Sequence, residues 1–139
     1  MLSRIIYTST ISNDITPKEI EKILTKAQSN NDKKDITGML YFSRNKFLQC
    51  LEGGRVSINE TYHTILNDTR HSNIILLNYE EISQRVFSNW SMAYVPESSL
   101  SAPINLKYSN STIFNPSEMS SESIYKMMLE LKDVLTSVN

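Results

Sequence analysis

Residues 38–53, GMLYFSRNKFLQCLEG, lie across two apolar runs that are separated by a short polar turn. The runs are Ile36–Phe42 and Lys46–Leu51, and the turn is Ser43-Arg44-Asn45-Lys46. Runs of this length, joined by so short a turn, predict a β-hairpin. We therefore expect two antiparallel strands that are neighbours in a sheet.

The second strand of this hairpin is apolar on both faces. Because side chains alternate along a strand, Phe47 and Leu51 share one face, and Leu48 and Cys50 share the other. A strand with two apolar faces needs a cover on each side of the sheet. Gln49 interrupts the pattern on the Phe47 face, and a buried amide without partners costs about 1–3 kcal/mol. The sequence therefore predicts a polar group facing Gln49.

The rest of the chain alternates helix and strand patterns. Thr16-Pro17-Lys18-Glu19 supplies an N-cap, a proline in the first turn and a capping-box glutamate, and Asn30-Asn31-Asp32 is the predicted end of that helix. Gly53-Gly54 is predicted to end the second hairpin strand, and Ser57 with Glu60 forms another capping box. The remaining predicted elements are a first strand over 3–10, a second helix ending near residue 68, strands over 73–82 and 90–95, and a last helix over 120–138.

The predicted order is strand, helix, strand, strand, helix, strand, strand. It matches an α+β fold with a ferredoxin-like βαββαββ sheet and two helices on one face. The last helix carries an apolar stripe opposite a charged one, and we favour packing on the second face of the sheet over a free partner-binding helix. The stripe is formed by Ile124, Met127, Met128, Leu131 and Leu135.

Composition and motifs exclude several classes of function. With 139 residues, a formal net charge of −1 and 40% hydrophobic residues, we expect one soluble globular domain without a basic nucleic-acid surface. The three glycines form neither a GxGxxG motif nor a P-loop, and no Cys/His cluster has metal-ligand spacing. Apolar runs are too short for a signal peptide or a membrane span, so we expect a cytoplasmic protein whose single cysteine, Cys50, is buried.

Tyr7 on the first strand and Gln49 on the hairpin are predicted to meet. Tyr7 shares a strand face with Ile5, and Gln49 shares one with Phe47. Both strands are central in a ferredoxin-like order, so the two side chains are neighbours if these faces coincide. They would then lie beneath the first helix, with an apolar wall formed by Ile20, Ile23 and Leu24.

An apolar slot with a phenol and convergent amides suits a flat heteroaromatic ligand with hydrogen-bonding edges. Each candidate residue also has a purely structural explanation. Tyr7 is explained as a half-buried packing residue, Asn31 as a helix C-cap, and Trp90 with Met92 as packing on the last strand. Gln49 alone resists such an explanation, since glutamine is uncommon in a strand buried on both faces.

Five ordered segments of the chain resemble the BLUF family of blue-light sensors that use FAD, and particularly its short, single-domain members. They are RIIYTS, NNDKKDITGMLYFSRNKFLQCLEG, DTRH, NWSM, and LKYS with the F, P and M that follow it. The resemblance implies a flavin, FAD with FMN as the alternative, held non-covalently between the first two helices. It also implies a flavin-binding core over 1–97. The polar composition of residues 98–115 predicts a connector from this core to the capping helix, and both belong to the segment 98–139 of the same domain.

The resemblance also implies roles for individual residues. Tyr7 and Gln49 match the family's switch, in which excited flavin takes an electron and then a proton from the tyrosine through the glutamine, whose hydrogen bonds rearrange. Trp90 and Met92 match the pair that carries the signal away from Gln49. The residues implied to contact the flavin, besides Gln49, are Ile23, Asn30, Asn31, Phe47, Ile65, Asp68, Arg70 and His71.

The chain departs from the family pattern at two positions. Thr64 stands where several short members have an arginine, and Ala27 stands where some relatives have a serine near the tyrosine. The implied function is a photoreceptor rather than an enzyme, signalling to an unidentified downstream protein or through its own oligomer. Two alternatives without flavin remain at this point: a ferredoxin-like regulatory domain, and an acylphosphatase-type hydrolase, which would need a phosphate-binding loop that the sequence lacks.

Overall fold

The computed structural model of the chain describes residues 1–12, 14–88, 93–96, 101–111 and 113–138. The strands in this part of the chain are β1 (Leu2–Ile11), β2 (Thr37–Ser43), β3 (Lys46–Gly54), β4 (His71–Ile82) and β5 (Ala93–Pro96). The helices are α1 (Pro17–Lys33), α2 (Arg55–Leu66), α3 (Ser101–Tyr108) and α4 (Ser121–Val138), with one 3-10 turn over Pro116–Glu118. No helix within these ranges is both long and apolar enough to cross a membrane.

The strands form one sheet in the order β4-β1-β3-β2-β5. Neighbouring strands are antiparallel, except that β2 and β5 run parallel. The four strands β4-β1-β3-β2 have the ferredoxin-like order, and β5 extends the sheet at the β2 edge. The predicted α+β, ferredoxin-like fold is confirmed.

Strands β2 and β3 form the predicted hairpin. Ser43 pairs with Lys46, so the loop consists of Arg44 and Asn45. Arg44 has a φ of 58°, and positive φ at the first loop position is what two-residue hairpin loops require. At the open end of the hairpin, a Cβ on Gly38 would overlap the Cys50 carbonyl oxygen of β3, which explains the glycine that begins the stretch.

The sheet separates two hydrophobic clusters. The cluster between the sheet and helices α1 and α2 includes the buried residues Ile5, Tyr7, Leu40, Phe47, Leu51 and Ile58. The cluster between the sheet and α4 includes Ile6, Met39, Leu48, Cys50, Met127 and Met128. The alternation predicted for the second hairpin strand therefore holds, and the last helix covers the second face as predicted.

The predicted end of the first helix, at Asn30-Asn31-Asp32, is wrong. Helix α1 continues to Lys33. The chain turns at Asp35, which has a φ of 55° in the left-handed region. The backbone oxygen of Asn31 accepts hydrogen bonds beyond the helix, including one from the Ile36 amide at 2.9 Å. Consecutive Asn and Asp residues favour a helix stop, but the left-handed residue that follows them sets the end here.

The junction of β3 and α2 also differs from the prediction. Strand β3 includes Gly53 and ends at Gly54, and both glycines are paired with β1, so the strand ends at the predicted glycines rather than before them. Helix α2 begins at Arg55 with Gly54 as its N-cap, two residues before the expected capping serine, Ser57. The Arg55 amide donates a hydrogen bond to the backbone oxygen of Met1 at 3.2 Å. This free amide at the start of α2 therefore finds its partner at the beginning of the chain and not in a capping box.

Helix α3 was not predicted, because its segment was expected to be a polar connector. Ile104 and Tyr108 of α3 pack against the α4-side cluster. The hydroxyl of Tyr108 donates a hydrogen bond to the carboxylate of Glu130 on α4. The connector therefore contains a helix that packs beside α4.

Candidate functional site

Tyr7 and Gln49 are direct cross-strand neighbours on β1 and β3. Both side chains are buried, with 2% of Tyr7 and 7% of Gln49 exposed. The Tyr7 hydroxyl donates a hydrogen bond to Oε1 of Gln49. Tyr7 and Gln49 are therefore neighbours, as strand alternation predicted, and they lie on the side of the sheet that carries α1 and α2.

The phenol of Tyr7 is held in its neutral form. Burial raises the pKa of Tyr7 far above its ordinary value, and the nearby Tyr62 and Asp68 raise it further. Desolvation has this effect because a phenolate would lose its water. The ring of Tyr62 on α2 lies 5.9 Å from the Tyr7 ring, tilted by 59°. Tyr7 therefore keeps its proton and donates it to a hydrogen bond at any physiological pH.

A cavity of about 140 Å³, which we call the slot, is bounded by the sheet, α1 and α2. Its apolar lining is formed by Ile23, Leu24, Leu40, Phe47, Leu51 and Ile65. Its polar lining includes Tyr7, Asn30, Asn31, Gln49, Asp68, Arg70 and His71. All the residues that the family resemblance implied as flavin contacts thus line one cavity. Ile20, which was expected in the apolar wall, does not line it.

Asn31 brings an amide into the slot from the end of α1. Thr16 caps the start of this helix and accepts a hydrogen bond from the Glu19 amide at 3.2 Å. At the other end Asn31 is only 4% exposed, whereas the neighbouring Asn30 is exposed. Asn31 lines the slot, so its buried amide lies where it can contact a polar ligand edge.

The loop between α2 and β4 contributes an ion pair to the slot. Nε of Arg70 lies 3.0 Å from Oδ1 of Asp68, and Nη2 lies 2.6 Å from Oδ2. The Arg70 amide also donates to Oδ1 at 3.0 Å. The hydrogen bonds from Arg70, together with its charge, lower the pKa of Asp68 to about 2. Asp68 is therefore ionised at neutral pH.

His71 begins β4 next to this pair. Its Nδ1 lies 2.9 Å from Oγ of Ser9 on β1, and its ring centre lies 5.6 Å from that of Phe47. Burial lowers the pKa of His71, and the charge of Asp68 opposes this only in part. The imidazole is therefore neutral near pH 7 and presents one donor and one acceptor nitrogen.

The structure describes some of the remaining residues of interest but not others. The predicted switch residues Trp90 and Met92 lie outside the described residues. Ala27 and Thr64, the two departures from the family pattern, both line the slot, and the Thr64 hydroxyl donates to a backbone oxygen of its own helix at 3.1 Å. Lys26 also lines the slot, but nothing in the helix pattern distinguishes it from a solvent-facing lysine.

The residues that line the slot fit a planar ring with polar edges. The side chains of Ile23, Phe47 and Ile65 offer flat apolar walls, and Asn31 and Gln49 offer amide donors and acceptors. The described part of the chain holds no group of three His, Cys, Asp or Glu residues arranged to bind a metal ion.

A family model described as BLUF, sensors of blue-light using FAD, matches residues 2–93. This chain belongs to the BLUF family. Over the matched residues it is thus a flavin-binding blue-light sensor rather than an enzyme, as predicted. The two flavin-free alternatives, a ferredoxin-like regulatory domain and an acylphosphatase-type hydrolase, are set aside.

Three relatives show how far this similarity extends. The blue light- and temperature-regulated antirepressor BluF of Escherichia coli (strain K12) is 36% identical over 92 residues, which are 66% of this chain and 23% of that protein. The photoactivated adenylate cyclase subunit beta of Euglena gracilis is 26% identical over 100 residues, 71% of this chain and 12% of that protein. The photo-activated state of BlsA has 32% identity and a TM-score of 0.86, with 94% of each chain covered. The matched part thus makes up less than a quarter of the first two relatives, whereas the likeness to BlsA extends over nearly the full length of both chains.

Proposed function

We propose that Tyr7 and Gln49 are the light-driven switch of this BLUF protein, with a flavin bound beside them in the slot. The supporting observation is the direct hydrogen bond from the Tyr7 hydroxyl to Oε1 of Gln49 inside a buried cavity. A neutral donor and an amide acceptor in an apolar slot can exchange roles without burying a net charge.

The flavin that we propose is FAD, in line with the family description, and FMN is the alternative. Ile23, Phe47 and Ile65 would bound the ring, and Asn31 and Gln49 would hydrogen-bond its polar edge. Asn30, Asp68, Arg70 and His71 would hold the edge and the attached sugar-alcohol chain. Lys26 supplies a positive charge at the slot, which suits a flavin that carries phosphate.

When bound, the flavin supplies a chromophore that absorbs blue light and accepts an electron in its excited state. Tyr7 is the electron donor within reach of the slot, and its phenolic proton already points at Gln49. Oε1 of Gln49 is the atom placed to receive that proton. Rotation of the amide would bring Nε2 to the position of Oε1, so that Gln49 donates to Tyr7 rather than accepting from it. Return of the electron and the proton to Tyr7 would restore a neutral phenol that faces the rotated amide, and this reversed hydrogen bond would be the stored signal.

The output of the switch would pass through Trp90 and Met92 to the C-terminal part of the chain. We propose residues 1–97 as the light-sensing core and 98–139 as the part that relays its state to an unidentified signalling protein or to a second copy. Contacts between α4 and the sheet, and between α3 and α4, support a mechanical role for this part. A cytoplasmic location belongs to the same proposal, and its support is the shortness of the apolar runs in the sequence.

The test is the absorption of the purified chain before and after blue light. We expect flavin bands that shift reversibly to the red, and FAD rather than FMN when the released chromophore is separated by chromatography. Gln49→Leu should keep the flavin and lose the shift. Gln28→Leu, which changes an exposed glutamine of α1, is the matched control and should keep both.

Two results would contradict the proposal. One is a full reversible shift in Gln49→Leu. The other is a folded wild-type protein that stays colourless after incubation with excess FAD and FMN.

A further inference from the structure

Arg4 and Glu52 form a second polar pair between β1 and β3, on the face opposite Tyr7 and Gln49. They are cross-strand partners three positions along from that pair. Nε and Nη2 of Arg4 lie 3.0 and 2.8 Å from Oε2 of Glu52. Arg4 is 5% exposed and Glu52 is fully buried. A complete ion pair thus lies on the α4 side of the strands that hold the proposed switch.

Glu52 also holds the chain segment that follows β4. Its second oxygen, Oε1, accepts hydrogen bonds from the backbone amides of Val86 and Phe87, at 2.9 and 2.7 Å. The guanidinium of Arg85 donates to the backbone oxygen of Glu52 at 3.2 Å. One residue of β3, three positions from Gln49, therefore fixes the segment that ends three residues before Trp90 in the sequence.

Arg4 connects the pair to the C-terminal helix. Its guanidinium carbon lies 4.6 Å from the ring centre of Tyr125 on α4, a cation–π distance. Its third nitrogen, Nη1, lies 2.9 Å from Oε1 of Glu80 on β4. The guanidinium thus joins β1, β3, β4 and α4 at one point.

A fully bonded ion pair of this kind is better suited to fixing geometry than to adding stability. Replacing a buried ion pair by apolar residues is often neutral or stabilising, because removing two charges from water is costly. The pair does, however, fix the positions of the groups around it, because a shift of any of them would leave a buried charge without a hydrogen-bond partner. We infer that the Arg4–Glu52 pair, with Tyr125, is the positioning element that makes α4 follow changes at Gln49.

This inference rests on the proposed light switch and adds the route by which its state reaches α4. A rearranged Gln49 that displaced β3 would move Glu52 with it. Arg4 would then move relative to Tyr125, and α4 would respond. Met127 and Met128 also pack α4 on the sheet, but they do not contact the ion pair through a ring, so the contact at Tyr125 is the part that is specific to this route.

The test compares Tyr125, which belongs to α4, with Tyr108, which contacts α4 from α3. Each of the two rings lies near a cationic side chain. Tyr125→Leu removes the ring under Arg4 and leaves the ion pair intact, which avoids exposing a buried charge. Tyr108→Leu is the matched control, because Lys107 lies 5.3 Å from that ring and the Tyr108 hydroxyl bonds to Glu130 of α4. Tyr125→Phe keeps the ring and serves as the rescue variant.

Two quantities are measured in each protein: the light-induced red shift of the flavin and the light-minus-dark hydrogen–deuterium exchange of peptides from 121–138. All variants should keep the full red shift. The exchange difference in α4 should fall at least threefold in Tyr125→Leu and remain in Tyr108→Leu and Tyr125→Phe.

Three results would overturn the inference: no exchange difference in wild-type α4, an undiminished difference in Tyr125→Leu, or an equal loss in Tyr108→Leu. Loss of the red shift in the wild type would instead refute the proposed switch itself, so the two failures are distinguishable.

Discussion

The pairs Tyr7–Gln49 and Arg4–Glu52 join the same two strands but lie on opposite faces of the sheet. The first pair is neutral and borders a cavity beneath α1 and α2. The second pair is charged and bonded on every side by strands, the segment after β4 and α4. The Tyr7–Gln49 pair therefore borders a cavity in which it has room to rearrange, whereas the Arg4–Glu52 pair is enclosed by its bonded neighbours.

The comparison agrees with a proposed switch on the slot face and a proposed relay on the α4 face. Reversing a hydrogen bond between a phenol and an amide costs little, because both groups remain neutral and keep a partner. Moving a buried carboxylate away from four donors costs far more. A switch belongs on the slot face, and a rigid connection belongs on the α4 face.

Removing the Glu52 charge from the α4 face should give the largest effect on stability. We expect Glu52→Ala to lower the free energy of unfolding by about 3–5 kcal/mol, because Arg4 would lose its buried partner and keep only the half-exposed Glu80, and two backbone amides would lose their acceptor. Glu81→Ala is the control, since the Arg55–Glu81 pair is exposed, and it should cost less than about 1 kcal/mol. Urea unfolding of the two variants measures both values. Equal losses of unfolding free energy in the two variants would contradict the expected difference between the buried and the exposed ion pair.

Removing an amide on the slot face should weaken flavin binding more than it changes stability. We expect Asn31→Ala to reduce the affinity for FAD by about 5- to 150-fold, the loss of one buried hydrogen bond worth about 1–3 kcal/mol. Asn30→Ala, at the exposed neighbouring position, should have a smaller effect. Titration of flavin-free protein, followed by flavin fluorescence, compares them. The assignment of Asn31 fails if Asn30→Ala weakens binding more.

The smallest expected effect is the pH dependence of the ion pair beside the slot. The pKa of Asp68 is lowered to about 2, below its ordinary 3.8, so the ionised form stabilises the folded state above pH 4. This contribution disappears as the pH falls towards 2, and it stays below about 1 kcal/mol because Arg70 is half exposed.

The measurement is urea unfolding of wild type and Asp68→Asn between pH 6 and pH 2. Their stability difference should shrink as the pH falls, and at neutral pH it should be smaller in an Arg70→Ala background, which keeps only the backbone amide as a donor to Asp68. A difference that grows towards acid would give the wrong sign for a depressed pKa.

Strand patterns predicted most of what positions the site. The two-residue period assigned Tyr7 and Gln49 to one face, and the ferredoxin-like order made their strands neighbours. The same register also contains the Arg4–Glu52 pair, since three steps back along β1 correspond to three steps forward along antiparallel β3. That pair was missed because Arg4 and Glu52, each near the end of a predicted strand, look like solvent-facing charges.

Helix boundaries were predicted less well, because they depend on contacts that a local pattern does not contain. The start of α2 is set by pairing of its first residue with Met1, and the end of α1 by the left-handed Asp35. Helix α3 has only eight residues and contains Pro103, so it carries no clear periodic signal; its partner, α4, provides the packing. Family resemblance, rather than periodicity, indicated the other polar residues of the slot, such as Asp68, Arg70 and His71.

The most direct measurement is the light-minus-dark absorption of Tyr7→Phe beside that of Tyr62→Phe. Both variants remove one phenolic hydroxyl, and the two rings are neighbours, but only the Tyr7 hydroxyl donates to Gln49. We predict that both proteins bind flavin, that Tyr62→Phe keeps the full reversible red shift, and that Tyr7→Phe shows less than about a tenth of it. A full shift in flavin-loaded Tyr7→Phe would contradict the assignment of Tyr7 and Gln49 as the switch.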